Sequence, residues 1–384
     1  MPAEPVIVEA VRTPLGLRGG ALAPLHPAHL LGETCRELLG RGGIPADCVE
    51  QVVGGTAVQT GEQAANPART AWLAAGLPYE TAATTVDFQG GSSQQAAHLV
   101  AGLIAAGIID VGVSCGAESA SRVPPGGDGH GRALPDDWHI DLPHPVRAAE
   151  RIARHRGIGR DRADAYALLS QRRAAAAWAE ERFKRETFPV QVPAPDDLWR
   201  LVDRDEGPRD GDGQTLAGLT PLTPDAVHTT GTRAPAADGA AALLWASKRM
   251  ARALGLRPRA RVLAQAAVGA DPRHHLDGAV DATRAVLGRA GMSVRDLDLF
   301  EVDECFAGVV LSWTDVFGRD ERDGLLERVN VNGGALALGH PGGAAGARLL
   351  TTVLHELERR DAATALVTMS AGGALATATI LQRL

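Results

Sequence analysis

One pattern occurs twice in this 384-residue chain and restricts its fold more than any other feature: a β-run, a glycine-rich turn, a helical stretch and a return strand. In the first copy, Thr85-Val86-Asp87-Phe88 enters the turn Gln89-Gly90-Gly91-Ser92-Ser93. A helical stretch from Gln94 to about Ala106 and a strand from Ile109 to Ser114 follow. In the second copy, Val329 to Asn332 enters a glycine turn, then a helix from about Gly343 to Glu358 and a strand from Ala363 to Met369. The turn Ser370-Ala371-Gly372-Gly373 closes that copy. Two strands separated by a helix read as a βαβ unit, so an α/β fold with a largely parallel sheet is expected.

Further strands are expected at Pro5 to Ala10, Val52 to Val58, Ala260 to Ala267 and Leu299 to Val302, with helices at Ala28 to Leu39 and Pro67 to Gly76. The middle of the chain differs. It opens with a Gly/Pro-rich loop, Val123 to Gly131, and continues with helical Pro145 to Arg156 and Arg160 to Arg185. Polar Asp203 to Gly213 is expected at the surface. These shifts suggest three parts: residues 1–119, an inserted loop domain over 120–245, and residues 246–384.

Composition removes whole classes. A formal net charge of −7 provides no global attraction for nucleic acid. The longest apolar run, Ala96 to Ile109, is interrupted by His98 and falls short of the ~20 residues a membrane helix needs. Four cysteines without CxxC spacing, and no visible signal peptide, read as reduced cytosolic thiols, so a cytoplasmic location is expected. Adjacent His274 and His275 lack an evident third ligand, and no metal is expected.

Three small-residue turns concentrate the remaining signal. Gly90 to Ser93 opens a helix, whose N-terminus has free N–H groups and a positive dipole end. Gly339-His340-Pro341-Gly342-Gly343 carries one imidazole, and Ser370 to Gly373 offers backbone N–H groups between strands. Taken singly, each is an ordinary turn.

The run Asn330 to Arg348, containing Gly339-His340-Pro341-Gly342-Gly343, resembles the thiolase signature around the catalytic histidine. Asp303-Glu304-Cys305-Phe306 resembles that family's Asn-Glu-Ala-Phe motif, and Gln89 to Ser93 its nucleophile loop, in the form found in actinobacterial steroid and lipid side-chain thiolases. The resemblance spans almost the whole chain. It implies a thiolase-like fold with two duplicated α/β halves in five layers (α-β-α-β-α). It also implies a loop domain over a coenzyme A site, an acyl-CoA or other acyl-thioester ligand with no bound cofactor, and a homodimer or homotetramer. Pairing of subunits through the strand near Asp110 to Ser114 is expected.

The departures bear on chemistry. The family's nucleophilic cysteine falls at Gly90, its acid/base cysteine at Ser370, and its oxyanion asparagine at Asp303. A serine that touches the pantetheine arm falls at Ala234. Only His340 survives. Glycine cannot form a thioester, and a serine hydroxyl is a poor proton shuttle near neutrality. An ionised Asp303 cannot donate to an oxyanion, but it can raise the pKa of a nearby His340. Backbone N–H groups at Gly91, Ser92, Gly372 and Gly373 need no side chain to polarise a carbonyl. The catalytic set is thus read as His340, Asp303, Ser370 and position 90, with Ala234, Glu304 and Phe306 beside the substrate. Against this stand plain readings: Ser370 as a backbone-bonded filler, Asp303 as a helix N-cap, and Cys305 as a core residue.

Three functions follow. The first is non-standard Claisen or retro-Claisen chemistry on an acyl thioester without a cysteine acyl-enzyme. The second is a catalytically silent homologue that scaffolds a partner enzyme. The third is an ordinary acetyl-CoA acyltransferase inactivated by engineering, which predicts one or two changed residues in an otherwise standard site, and Asp303 and Ala234 have changed as well.

Overall fold

A computed structural model describes residues 3–124, 134–195, 198–209, 213–318 and 324–384. Most of the Val123 to Gly131 loop lies outside the described residues, as does part of the Asp203 to Gly213 stretch. The first half carries β1 (Pro5–Arg12), β2 (Gly16–Leu17), α1 (Pro27–Gly42), β3 (Gln51–Gly55), α2 (Pro67–Ala74), β4 (Ala82–Val86), α3 (Ser92–Ala105) and β5 (Val111–Ser119). The middle contributes α4 (Pro145–Arg156), α5 (Arg160–Ala179), the hairpin β6 (Val190–Pro193) and β7 (Trp199–Val202), and α6 (Gly213–Ala217). It returns to the sheet through β8 (Ala237–Ser247). Then come α7 (Lys248–Ala253), β9 (Ala260–Gly269), α8 (Gly278–Ala290), β10 (Leu299–Val302), α9 (Ala307–Phe317), α10 (Leu325–Arg328) and α11 (Ala335–Leu338). The chain ends with α12 (Ala345–Arg360), β11 (Thr364–Ala371) and β12 (Leu375–Arg383).

The duplication is visible in the strand order. In the first half β4, β3 and β5 are parallel, followed by antiparallel β8 and β1. In the second, β10 and β11 are parallel, followed by antiparallel β12 and β9. The two meet where Val6 and Ile7 of β1 pair with Arg261 and Ala260 of β9. The inserted middle therefore hands back to the first half at residue 237, since β8 lies between β1 and β5.

Period-two alternation explains the layers. Ala240, Ala242, Leu244 and Ala246 of β8 face a core shared with α1, while Ala241, Leu243 and Trp245 face a second core containing α3 and α12. A strand buried on both faces needs a continuous apolar run, and Ala240 to Ala246 supplies one. The third core packs β10, β11 and β12 against α5, α8 and α9. The layers are thus outer helices, sheet, the α3–α12 pair, sheet, outer helices.

Five expectations change. The sheet, expected to be largely parallel, is mostly antiparallel: only β3–β4, β3–β5 and β10–β11 run parallel, because β1, β8, β9 and β12 run against their neighbours. Val329 to Asn332, expected as the strand entering the second turn, makes only an isolated bridge from Val329 to Phe300. The helix expected over Arg160 to Arg185 stops at Ala179, where the chain turns. Asp205, expected at the surface, is buried and forms a two-pronged ion pair with the fully buried Arg12 (2.7 and 2.9 Å). Glu186 pairs with the same guanidinium. Such a charge is tolerated inside only because it is paired. Subunit pairing through residues 110–114 has no open edge to use, because β5 is bonded by β3 and β8; β4 is the free edge of this half.

Candidate functional site

The turn before α3 is built from its own residues. Gln89 takes a left-handed φ of 52°, held by its N–H donating to Asp87 Oδ1 (2.7 Å). The Ser92 hydroxyl donates to the Gln89 carbonyl and accepts from the Phe88 N–H (2.6 and 2.9 Å). Gly91 and Ser92, expected to offer N–H groups to a ligand, donate them to Phe88 and Gln89 (3.0 Å each). Nothing in the backbone requires glycine at position 90. A Cβ there would stand 3.8 Å from both His340 Cε1 and Met369 Cε, ordinary contact distances. Room for a side chain exists, directly beside the imidazole.

The turn before α12 is held from afar. Gly339 and Gly342 take φ of 104° and 43°, and a Cβ at Gly342 would collide with Glu118 at 2.7 Å. Glu118, at the end of β5, accepts from the N–H of Gly343, Ala57 and Val58 (2.7, 2.9 and 3.2 Å). Burial raises its pKa despite those bonds. His340 is pinned by its backbone, its N–H bonding Pro235 (2.8 Å) and its carbonyl accepting from Ala237 (3.1 Å).

The His340 ring reaches Asp303, with Nε2 3.2 Å from Oδ2. Burial opposes both charges, but mutual attraction outweighs it. The imidazole pKa is raised and the carboxyl pKa lowered. Among the described residues, Asp303 Oδ1 is buried without a hydrogen-bond partner. The carboxylate, which can only accept, holds a proton on the imidazole Nε2. Asp303 is not a helix cap, because α9 begins at Ala307 with Phe306 as the capping position.

The other expected site residues divide. Ser370 Oγ donates to the Leu276 carbonyl and accepts from the Ala279 N–H (2.6 and 2.9 Å), so its hydroxyl is spent on the start of α8. Strand alternation puts Met369, not Ser370, on the Gly90 side. Glu304 is fully buried, accepting from Tyr166, Ser170, Asn330 and the Leu336 N–H, with no face left for substrate. Phe306 packs edge-on to His228 with centroids 5.3 Å apart. Ala234 lines a cavity of about 400 Å³ with Leu168, Gln171, Gly231 and Leu336. Gly372 and Gly373 form the β11–β12 turn, where a Cβ on Gly372 would stand 3.1 Å from Gln89 Oε1. Cys305 is partly exposed before α9 rather than within a helix; burial and neighbouring Asp303 push its thiol well above the ordinary range. Gly90, His340, Asp303 and the Gly372 turn thus converge, whereas Ser370 and Glu304 serve the scaffold.

Sequence reasoning missed Glu118. Its signal was a lone carboxylate ending the small-residue strand Val111 to Ser119, a place where only a buried, bonded charge fits.

This fold is that of the thiolase family. The chain matches the thiolase N-terminal domain over residues 5–249 and the thiolase C-terminal domain over 256–383, and belongs to that family. It is 39% identical over 394 residues to the steroid 3-ketoacyl-CoA thiolase FadA6 of Mycobacterium tuberculosis, covering 99% of this chain and 94% of that one. It is 40% identical over 397 residues to an acetyl-CoA acetyltransferase of Chromobacterium violaceum, covering 99% and 100%. The crystal structure of the Bacillus anthracis acetyl-CoA acetyltransferase superposes with a TM-score of 0.91 at 32% identity, covering 100% and 99%. Human mitochondrial 3-ketoacyl-CoA thiolase gives 0.90 at 31%, with the same coverage. Among the described residues, no helix is long and apolar enough to cross a membrane, and no group of three His, Cys, Asp or Glu side chains could hold a metal.

Proposed function

We propose that this protein binds acyl-CoA thioesters of the 3-ketoacyl class and promotes Claisen-type chemistry at the thioester without an acyl-enzyme at position 90. The relatives' names supply the substrate class. The absent side chain at Gly90, in a space that would accept one beside His340, carries the mechanistic part. His340, its proton held against Asp303, donates to the carbonyl oxygen as charge develops there. The cavity bordered by residues 230–236 takes the pantetheine arm. Self-association uses the free β4 edge; a monomer mass by light scattering at micromolar concentration would refute it.

A second reading, ordinary thiolysis, is favoured by the end-to-end similarity to thiolases and would need the Cys305 thiol as nucleophile. Intact-mass analysis after incubation with an acyl-CoA separates the two. The unaltered chain is expected to stay unmodified, while Gly90→Cys gains one acyl group. A stoichiometric adduct mapped to Cys305 in the unaltered chain overturns the first reading.

A further inference from the structure

A buried glutamate–histidine pair lies outside the Asp303–His340 site. His228 is fully buried, and its Nδ1 stands 2.7 Å from Glu150 Oε1 of α4. The Glu150 carboxylate also accepts from the backbone N–H of Val227 and His228, at 2.9 Å each. On the ring's other side, Nε2 accepts from the Gly308 N–H in the first turn of α9 (3.2 Å). A backbone N–H can only donate, so Nε2 bears the lone pair and the proton sits on Nδ1, facing Glu150. Position 308 is shaped for this contact: a Cβ there would meet His228 Nε2 at 2.7 Å. Phe306 closes the ring's face edge-on.

From this anchor the chain runs as a strap over 227–237, bonded to the two segments that carry the site's charged pair. The Thr232 carbonyl accepts from Ala307 (3.0 Å), and the Ala234 N–H donates to Cys305 (3.1 Å), two residues from Asp303. Pro235 and Ala237 then bracket His340 through its own N–H and carbonyl. The same strap supplies Thr230, Gly231, Arg233, Ala234, Pro235 and Ala236 to the cavity wall. One strip of backbone thus touches the pocket, the Asp303 turn and the His340 turn, and its near end is fixed by Glu150 and His228.

We propose that Glu150 and His228 are positioning residues: a buried clamp that holds the 227–237 strap against α9 and so sets both the separation of Asp303 from His340 and the shape of the cavity. The cavity part rests on the reading that coenzyme A occupies it; the separation part does not. Burial of the carboxylate opposes its charge, but the His228 bond and the two backbone N–H groups keep the Glu150 pKa below its ordinary value.

The test follows the His340 imidazole by NMR titration and measures coenzyme A binding by calorimetry in the full chain. Glu150→Gln, and the milder Gly308→Ala, should lower the pH at which His340 titrates and weaken coenzyme A binding by about tenfold, the size expected for losing one charge-assisted hydrogen bond. His228→Gln keeps an amide donor and acceptor at similar spacing and should leave both readouts near the unaltered values. Folded Glu150→Gln and Gly308→Ala proteins with an unchanged His340 titration would overturn the clamp, whatever their melting temperatures. If the unaltered chain does not bind coenzyme A, the acyl-CoA reading falls, and the His340 titration alone decides the clamp.

Discussion

The two turns that open α3 and α12 occupy matching places in the duplicated frame, and they are built in opposite ways. Residues 87–92 close on themselves through Asp87, the Ser92 hydroxyl and two backbone N–H groups. Residues 339–343 depend on a carboxylate more than two hundred positions away. The helices behind the turns touch, with the Ala347 N–H donating to Ser93 Oγ at 2.8 Å, so both turns are aimed at one place. A self-contained turn can carry glycine at position 90 without structural penalty, because nothing in its closure uses a side chain there. The α12 turn keeps His340 in a loop that the rest of the protein holds. Duplicated geometry therefore does not entail duplicated chemistry.

Removing the distant anchor should have the largest effect. Glu118→Ala leaves several buried N–H groups unpaired and should lower unfolding stability by about 3 kcal/mol, read from urea melts. A loss below that of the local turn variant would break the contrast between the two turns.

The Asp303–His340 pair sharpens the contrast through pH. Because the His340 pKa is raised, its contribution is complete below the unfolded value near ~6.5 and fades as pH rises through the folded one. Because the Asp303 pKa is lowered, its contribution is present above ~3.9 and fades as pH falls through its folded value. Melting temperature should therefore be most favoured by the pair between about pH 4 and 6.5. Asp303→Asn should flatten that curve and make the imidazole titrate at lower pH; an unchanged imidazole titration would show that the carboxylate does not set the His340 charge.

The local turn should show the smallest effect. Asp87→Ala removes the exposed bonds from the Gln89 backbone and side-chain amides and should cost about 1 kcal/mol in the same urea melts, leaving the His340 titration unchanged. A shift in that titration would mean that the two turns are mechanically coupled.

The first strand–turn–helix unit and the glycines around His340 were legible in the sequence, because side-chain period and backbone freedom are local properties; β8, buried on both faces, was not read as a strand because an unbroken apolar run carries no alternation. α4 ends at Arg156 as expected, whereas α5 stops at Ala179, short of the expected Arg185. What was not legible depends on partners far along the chain. Asp205 looked like surface because it sits among Asp, Arg and Gly, yet Arg12 draws it inside. Glu304 looked like a substrate contact because Asp303 to Phe306 resembles a thiolase motif, yet Tyr166, Ser170 and Asn330 consume its carboxylate. Ser370 is separated from the Gly90 side by one step of strand alternation and bonds α8 instead.

The amino-acid sequence by itself determined that position 90 has no nucleophile, that His340 sits on a tight turn, and that two similar α/β frames lie in one chain. These follow from residue identity and short-range periodicity. Only the tertiary structure decided that Gly90 has room for a side chain, that the His340 proton is shared with Asp303, and that Glu118, Glu150 and His228 hold the loops around them. A buried charge or imidazole acquires its role from the few groups within hydrogen-bond reach, and folding selects those groups from across the whole chain.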